Sequence, residues 1–289
     1  MPYISLDVFV SGDRDALAMG PIALIFAEDD TELASTLSHH LDQGFRSVLA
    51  LMPDTFALPP EIEDRVRRIS FECTTPGIVF DAINQIIAAA APGTWFFYCY
   101  NAEYLFYPFC ESRSVGELLA FHAEERRDAM LTYVVDLYAE DLGKYPDAVS
   151  RDESCLDQQG YYALTRCAPD TGEPLERQMD FFGGLRWRFE EHVDWGSRKI
   201  DRVSLFRAQQ GLRLLPDHTF NDAEYNTVSC PWHHNLTAAI CSFRAAKALK
   251  RNPGSAFVIH SFQWRNSKRF QWRSRQLMDL GLMEPGQWF

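Results

Sequence analysis

Between Arg244 and Met278 there are nine Lys or Arg residues and no Asp or Glu, with Phe262, Trp264, Phe270 and Trp272 set among them. Such a stretch can contact a phosphate, a diphosphate or an anionic surface, or it can be a solvated helix face that offsets an acidic body. Two pairs of adjacent histidines, His39-His40 and His233-His234, carry metal-ligating side chains. Neighbours on a helix or strand point apart, so a capping or core role is expected for the first pair. The seven cysteines are scattered and form no CxxC pair, which suggests neither a zinc knuckle nor a disulfide framework. Several sit in apolar runs and read as buried small hydrophobes in a reducing compartment. No GxSxG, P-loop or GxGxxG element gives hydrolase, NTPase or dinucleotide chemistry an anchor, and the lone pair Gly183-Gly184 reads as a turn.

The elements that must position these groups are legible in the first half of the chain. Pro21–Phe26, Ser47–Met52, Arg68–Cys73, Trp95–Tyr100 and Met130–Tyr138 are apolar, strand-like runs. Helical spacing occupies Glu32–Asp42, with Asp30 or Thr31 as its cap and Gly44 as its stop, and again Ile78–Ala91 and Ser114–Arg127. Strands alternating with helices predict an α/β fold with a mostly parallel sheet flanked by helices. Ligands of such sheets bind beyond the carboxyl ends of the strands, which points to the segments after Phe26, Met52 and Tyr100. From Ser150 the pattern loosens, and helical spacing returns over Asn235–Lys250 and Lys268–Leu280. With no repeat and no linker, the expectation is one domain over 1–289. Its ligand-binding half is 1–145, and its second, irregular half, 146–289, carries the basic C-terminal helices.

Composition narrows the class. The chain has 289 residues, 46% hydrophobic and 24% charged, which is ordinary globular usage. A formal charge of −12 argues against a nucleic-acid-binding surface. The longest apolar run of interest, Ile86–Ala91, is far short of the ~20 residues a membrane-spanning helix needs, and the N-terminus has no basic start. The expectation is a cytoplasmic protein with no membrane span, open to peripheral contact through its basic stretch.

The most informative stretch is Trp95–Pro108, WFFYCYNAEYLFYP. It resembles the glycosyltransferase family 2 pattern, in which a strand of the GT-A fold ends in Asp-x-Asp-Glu-Phe and runs on to Tyr-Pro. Other segments resemble the family in the same order: Phe26–Gly44, Val134–Gly143 with its Asp-x-Tyr, FFGGLRWRF from Phe181 to Phe189, Lys199–Arg207 and Val258–Trp264. The resemblance implies a GT-A-like, Rossmann-like sheet, a nucleotide-diphosphate sugar donor and a carbohydrate or lipid-linked acceptor. It implies carboxylates holding a divalent cation, Mn2+ or Mg2+, that bridges the donor's phosphates and stabilises the leaving group. It also implies Glu28, Asp30 and Asp54 beside base and ribose. Asn101, Glu103, Arg186, Arg188, Lys199, His218 and His260 would lie by the diphosphate, and a catalytic base would come from Glu190, Glu191 or Asp180.

The sequence departs from the pattern at its centre. With Glu103-Tyr104 and Tyr107-Pro108 set on the family's Glu-Phe and Tyr-Pro, the two metal aspartates fall on Tyr100 and Ala102. Glu103 and His260 alone would make a poor cation site. Two readings stay open. One is a transferase that needs no metal and neutralises the diphosphate with Arg and Lys side chains. The other is a catalytically inactive relative that binds a sugar, a nucleotide or a protein partner.

Overall fold

The computed structural model describes residues 3–228 and 236–288. Cys230, the pair His233-His234 and the start of the expected Asn235–Lys250 helix lie outside the described residues.

Helix α1 (Leu6–Gly12) starts at Ser5, whose hydroxyl accepts from the Val8 amide. Strands β1 (Ile22–Phe26) and β2 (Ser47–Met52) are buried along their whole length. An apolar run without alternation is what a strand covered on both faces requires, and each large side chain so buried contributes about 1.5–3 kcal/mol. Between them α2 (Leu33–Asp42) buries Leu33, Leu37 and His40, and Gly44 follows it at φ 85°. The expected cap at Asp30 or Thr31 is not used. Glu32 takes that place in a left-handed conformation, with no side-chain cap. The carboxylate of Asp29 next to it is already committed to the Thr31 amide and the Asn101 side chain.

A short helix, α3 (Pro60–Glu63), leads to β3 (Arg67–Ser70), which stops before the expected end at Cys73. Helix α4 (Ile78–Ala89) and strand β4 (Trp95–Tyr100) follow. A left-handed Ala102 then turns the chain into β5 (Glu103–Phe106), a strand the sequence did not signal. Helix α5 (Val115–Glu124) opens with a reciprocal capping box between Ser114 and Glu117 and leads to β6 (Ala129–Ala139). Beyond it lie β7 (Ser154–Asp157), β8 (Tyr162–Cys167), β9 (Pro174–Phe182), α6 (Gly184–Arg188) and β10 (Asp201–Arg207). The last elements are β11 (Ala238–Ser242), α7 (Arg244–Arg251), α8 (Pro253–Ala256), β12 (Ser267–Arg269) and α9 (Ser274–Asp279).

The chain divides into two compact units. The first comprises Met1–Tyr104, Ser112–Leu131 and Val203–Asn226. In it β4, β1, β2 and β3 lie side by side in that order, all parallel. Antiparallel β10 flanks β4, with Leu205 opposite Phe97. The second unit comprises Leu105–Glu111, Thr132–Arg202 and Thr227–Phe289. There β11 runs parallel to β6, β7 antiparallel to β6, and β12 antiparallel to β7, while β8 and β9 form a separate hairpin. Its core gathers Tyr138, Cys155, Leu185, Ala246, Leu249 and Phe262.

The fold is therefore α/β with a mixed sheet flanked by helices, which corrects the expectation of a mostly parallel one. The strand–helix–strand spacing that signals parallel pairing ends at β6. Strands β7, β10 and β12, which lie beyond it, all pair antiparallel. Within the expected helix Asn235–Lys250, Ala238–Ser242 is instead a fully buried strand. A short apolar run fits both templates, so periodicity alone does not separate them. The expected helix Lys268–Leu280 keeps only Ser274–Asp279, its start being taken by β12. Among the described residues no helix is long and apolar enough to cross a membrane.

Candidate functional site

In the first unit β2 and β3 extend from one side of β1 and β4 lies on the other. Doubly wound sheets bind ligands at this switch point, outside the carboxyl ends of the strands. The loops found there follow β1 and β4, and Asn101 joins them. Its Oδ1 accepts from the Glu28 amide at 2.9 Å, while its Nδ2 donates to Asp29 Oδ1 at 2.7 Å and to the Thr31 carbonyl at 2.9 Å. Asn101 is fully buried, whereas Glu28 and Asp30 stand exposed on the loop it holds. Asp54, after β2, is exposed as well, and its carbonyl accepts from Arg68.

The positions expected to bind a cation are instead packed. Tyr100 and Ala102 are buried, and the Ala102 amide donates to Thr36 Oγ1 at 2.9 Å. Glu103 has no exposure, and its carboxylate accepts from the Tyr100 amide at 2.9 Å. The carboxylate thus braces the β4–β5 corner. Burial pushes the neighbouring His40 down to about 3, and its ring stacks on Phe97, so it remains a neutral core residue. His260 belongs to the second unit and is exposed. Among the described residues no three His, Cys, Asp or Glu side chains are grouped to hold a metal ion. A hard cation needs several oxygen ligands, and these residues do not fit one. His218, the other family-matched histidine, is left-handed at φ 64° and bonds the Tyr98 hydroxyl through Nδ1 at 2.9 Å.

In the second unit the expected phosphate-binding cations are held by carboxylates. Arg188 Nη1 lies 3.1 Å from Asp157 Oδ1, and its Nη2 donates to the Phe262 carbonyl at 2.8 Å. Asp157 Oδ1 also accepts from the Tyr138 hydroxyl and the Trp264 indole, each at 2.7 Å. Arg186 donates to the Lys199 carbonyl at 2.9 Å and places Nε 3.6 Å from Asp136. Lys199 and Arg166 both pair with Asp180, at 2.9 and 2.6 Å, and Arg166 also reaches Asp201. Of the expected bases, Asp180 is therefore locked between two cations. Glu190 pairs with Arg198 at 3.1 Å, and Glu191 is exposed beside His192.

Asp136, in the Asp-x-Tyr segment Val134–Gly143, is not among the expected site residues. It is 1% exposed on β6, and its Oδ2 accepts from the Leu185 amide at 2.9 Å at the start of α6. Oδ1 has no hydrogen-bond partner among the described residues. Burial lifts its carboxyl to about 6, against the nearby Arg186, which lowers it. The pair Gly183-Gly184 is explained here. A Cβ on Gly184, at φ 63°, would sit 2.7 Å from Asp136 Oδ2, and one on Gly183 would sit 2.2 Å from the Tyr161 ring. An Asp inside an apolar strand run was the available signal.

The second unit also contains a cleft of about 370 Å³, lined by Tyr133, Tyr161, Tyr162, Phe181, Phe182 and Glu284 among others. In the first unit a hollow lined by Asn84, Gln209, Gln210 and Arg213 has a volume of about 610 Å³. Compared with protein-family models and with curated proteins, the chain matches none.

Proposed function

We propose that the protein is a glycosyltransferase of the metal-independent kind, moving a sugar from a nucleotide-diphosphate donor to a carbohydrate or lipid-linked acceptor. One observation carries this reading: the switch point between β1 and β4, where Asn101 holds a loop that presents Glu28 and Asp30 to solvent. Exposed carboxylates at such a crevice suit the hydroxyls of a ribose. The buried Glu103 and the packed Tyr100 and Ala102 favour chemistry without a divalent cation. Of the three expected bases, Glu191 is exposed and, among the described residues, paired with no Arg or Lys.

Calorimetric titration with UDP, GDP, CDP and dTDP, each in manganese and in EDTA, tests it. Binding of one nucleotide in EDTA, weakened by Glu28→Ala or Asp30→Ala, is the expected result. Binding that requires manganese contradicts the metal-free reading, and absence of any binding sinks the transferase.

The second reading is a catalytically inactive protein of this architecture that binds a sugar, a nucleotide or a protein partner. The cations offered for the diphosphate favour it, since Arg188 and Lys199 are already paired with Asp157 and Asp180 and Arg186 faces Asp136. Nucleotide binding without donor hydrolysis or transfer to any acceptor would select it.

A further inference from the structure

The cleft of the second unit has an unusual chemical balance. Four aromatic rings meet there in two pairs. Tyr133 and Phe181 pack edge-to-face at 4.7 Å, and Tyr162 and Phe182 stack at 5.2 Å with 17° between their planes. The second pair continues outward to Trp195, whose ring lies 5.8 Å from Phe182. Trp195 is 64% exposed and Tyr162 43%, so two large rings of this row face solvent. Large rings are ordinarily buried, and an exposed row of them marks a contact surface.

The polar groups of the cleft are few. Thr237 Oγ1 accepts from the Glu284 amide at 2.8 Å, which leaves its proton to donate elsewhere. The Glu284 backbone is held by this bond and by the Thr237 amide, which donates to its carbonyl at 3.0 Å. The Glu284 carboxylate itself makes no hydrogen bond or ion pair among the described residues. The buried Tyr161 hydroxyl has no hydrogen-bond partner among them either. Among the described residues no Lys or Arg lines the cleft, and Arg198, whose guanidinium lies 5.5 Å from the Trp195 ring centroid, is paired with Glu190.

These features select a ligand class by elimination. A phosphate or carboxylate ligand would meet Glu284 with no cation to offset it. A purely apolar ligand would leave Thr237 and Glu284 unused. A pyranose satisfies both halves, because its axial C–H groups carry positive charge toward an aromatic face while its hydroxyls bond a carboxylate and a threonine. The volume is in the about 300–1,000 Å³ range of small-ligand sites. The row Tyr162–Phe182–Trp195 extends the platform beyond the cleft, as a chain of sugar rings requires.

We infer that this cleft binds a neutral carbohydrate, with a pyranose stacked on Tyr162 and Trp195 and its hydroxyls bonded by Glu284 and Thr237. As an acceptor site it rests on the sugar-transfer reading; as a carbohydrate site it rests on these residues alone.

The test is titration of the full chain with cellobiose, maltose, lactose, mannobiose and N,N′-diacetylchitobiose, together with a glycan array. Tryptophan emission and calorimetry are the readouts, with UDP and choline as counter-probes. At least one glycan binds and shifts the emission. Trp195→Ala and Tyr162→Ala each weaken it by about three- to tenfold, the worth of one aromatic contact. Glu284→Gln also weakens it, while Leu164→Ala, an exposed change on the same hairpin, leaves it unchanged. All four are surface changes, and circular dichroism confirms that each variant is folded.

Failure of every glycan overturns the inference. So does binding that these variants do not alter, or choline binding that Glu284→Gln abolishes, which would make the site a cation cage. Nucleotide binding that survives Trp195→Ala, without any glycan binding, removes this site but not the transferase. Glycan binding without nucleotide binding does the reverse.

Discussion

Replacing Asp136 by Asn should change how the protein's stability depends on pH. Asp136 is fully buried, and its carboxyl is lifted from 3.8 to about 6, with burial as the largest cause. An acid whose folded value is raised favours folding in its protonated form. Its contribution is therefore intact below the unfolded value and is lost as pH rises through about 4 to about 6. The difference between 3.8 and about 6 corresponds to about 3 kcal/mol in all, of which about 2 kcal/mol falls between pH 4.5 and pH 8.

An Asn at this position still accepts from the Leu185 amide through its oxygen, and its NH2 takes the place of Oδ1, which has no hydrogen-bond partner to lose. It does not titrate. Urea unfolding of both proteins at pH 4.5, 6 and 8 is the assay. Relative to Asp136→Asn, the wild type should lose about 2 kcal/mol across that range. Other titrating groups are common to both proteins and cancel in the difference. A difference that stays constant with pH, or that moves in favour of the wild type at pH 8, would refute the burial argument and show Asp136 ionised and well solvated or well paired.

Further outcomes follow from the geometry. Gly184→Ala combines a left-handed φ with a contact at 2.7 Å to Asp136, and should cost about 2–4 kcal/mol in urea unfolding. Gly211→Ala, at φ 80° in open space, isolates the backbone component and should cost only about 1 kcal/mol; equal costs would deny the close approach. Arg188→Ala strands the buried Asp157 and should cost about 3–5 kcal/mol, measured the same way. Asn101→Ala cuts three hydrogen bonds of the switch-point loops, and hydrogen exchange should rise at Glu28 and Thr31 while β1 stays protected. His40, lowered from 6.5 to about 3 mainly by burial, contributes stability that is present above pH 6.5 and lost as pH falls toward 3. About 2 kcal/mol should disappear between pH 7.5 and pH 5, and His40→Gln should lose less over that interval.

The amino-acid sequence determined β1, β2, β4, α2, α4 and α5 by itself, because local rules suffice there. Ile22–Phe26, Ser47–Met52 and Trp95–Tyr100 are β-prone apolar runs, and Leu33–Asp42, Ile78–Ala89 and Val115–Glu124 keep helical spacing. The rule that ligands lie beyond strand ends pointed to the segments after Phe26, Met52 and Tyr100, and Asn101 joins the first of these to the third. What tertiary structure alone decided is which charges are spent. Arg186, Arg188 and Lys199 look like a set of phosphate ligands along the chain, yet Asp157 and Asp180 hold two of them and Asp136 faces the third. Glu103 looks like a metal carboxylate and is a buried brace for the Tyr100 amide. The two arginine pairings join residues tens of positions apart, which periodicity does not register. The same holds for Ala238–Ser242, where a helix and a buried strand share one apolar pattern until β6 supplies the neighbouring strand. The aromatic cleft likewise exists only because β6, the β8–β9 hairpin and residues 281–284 converge on it.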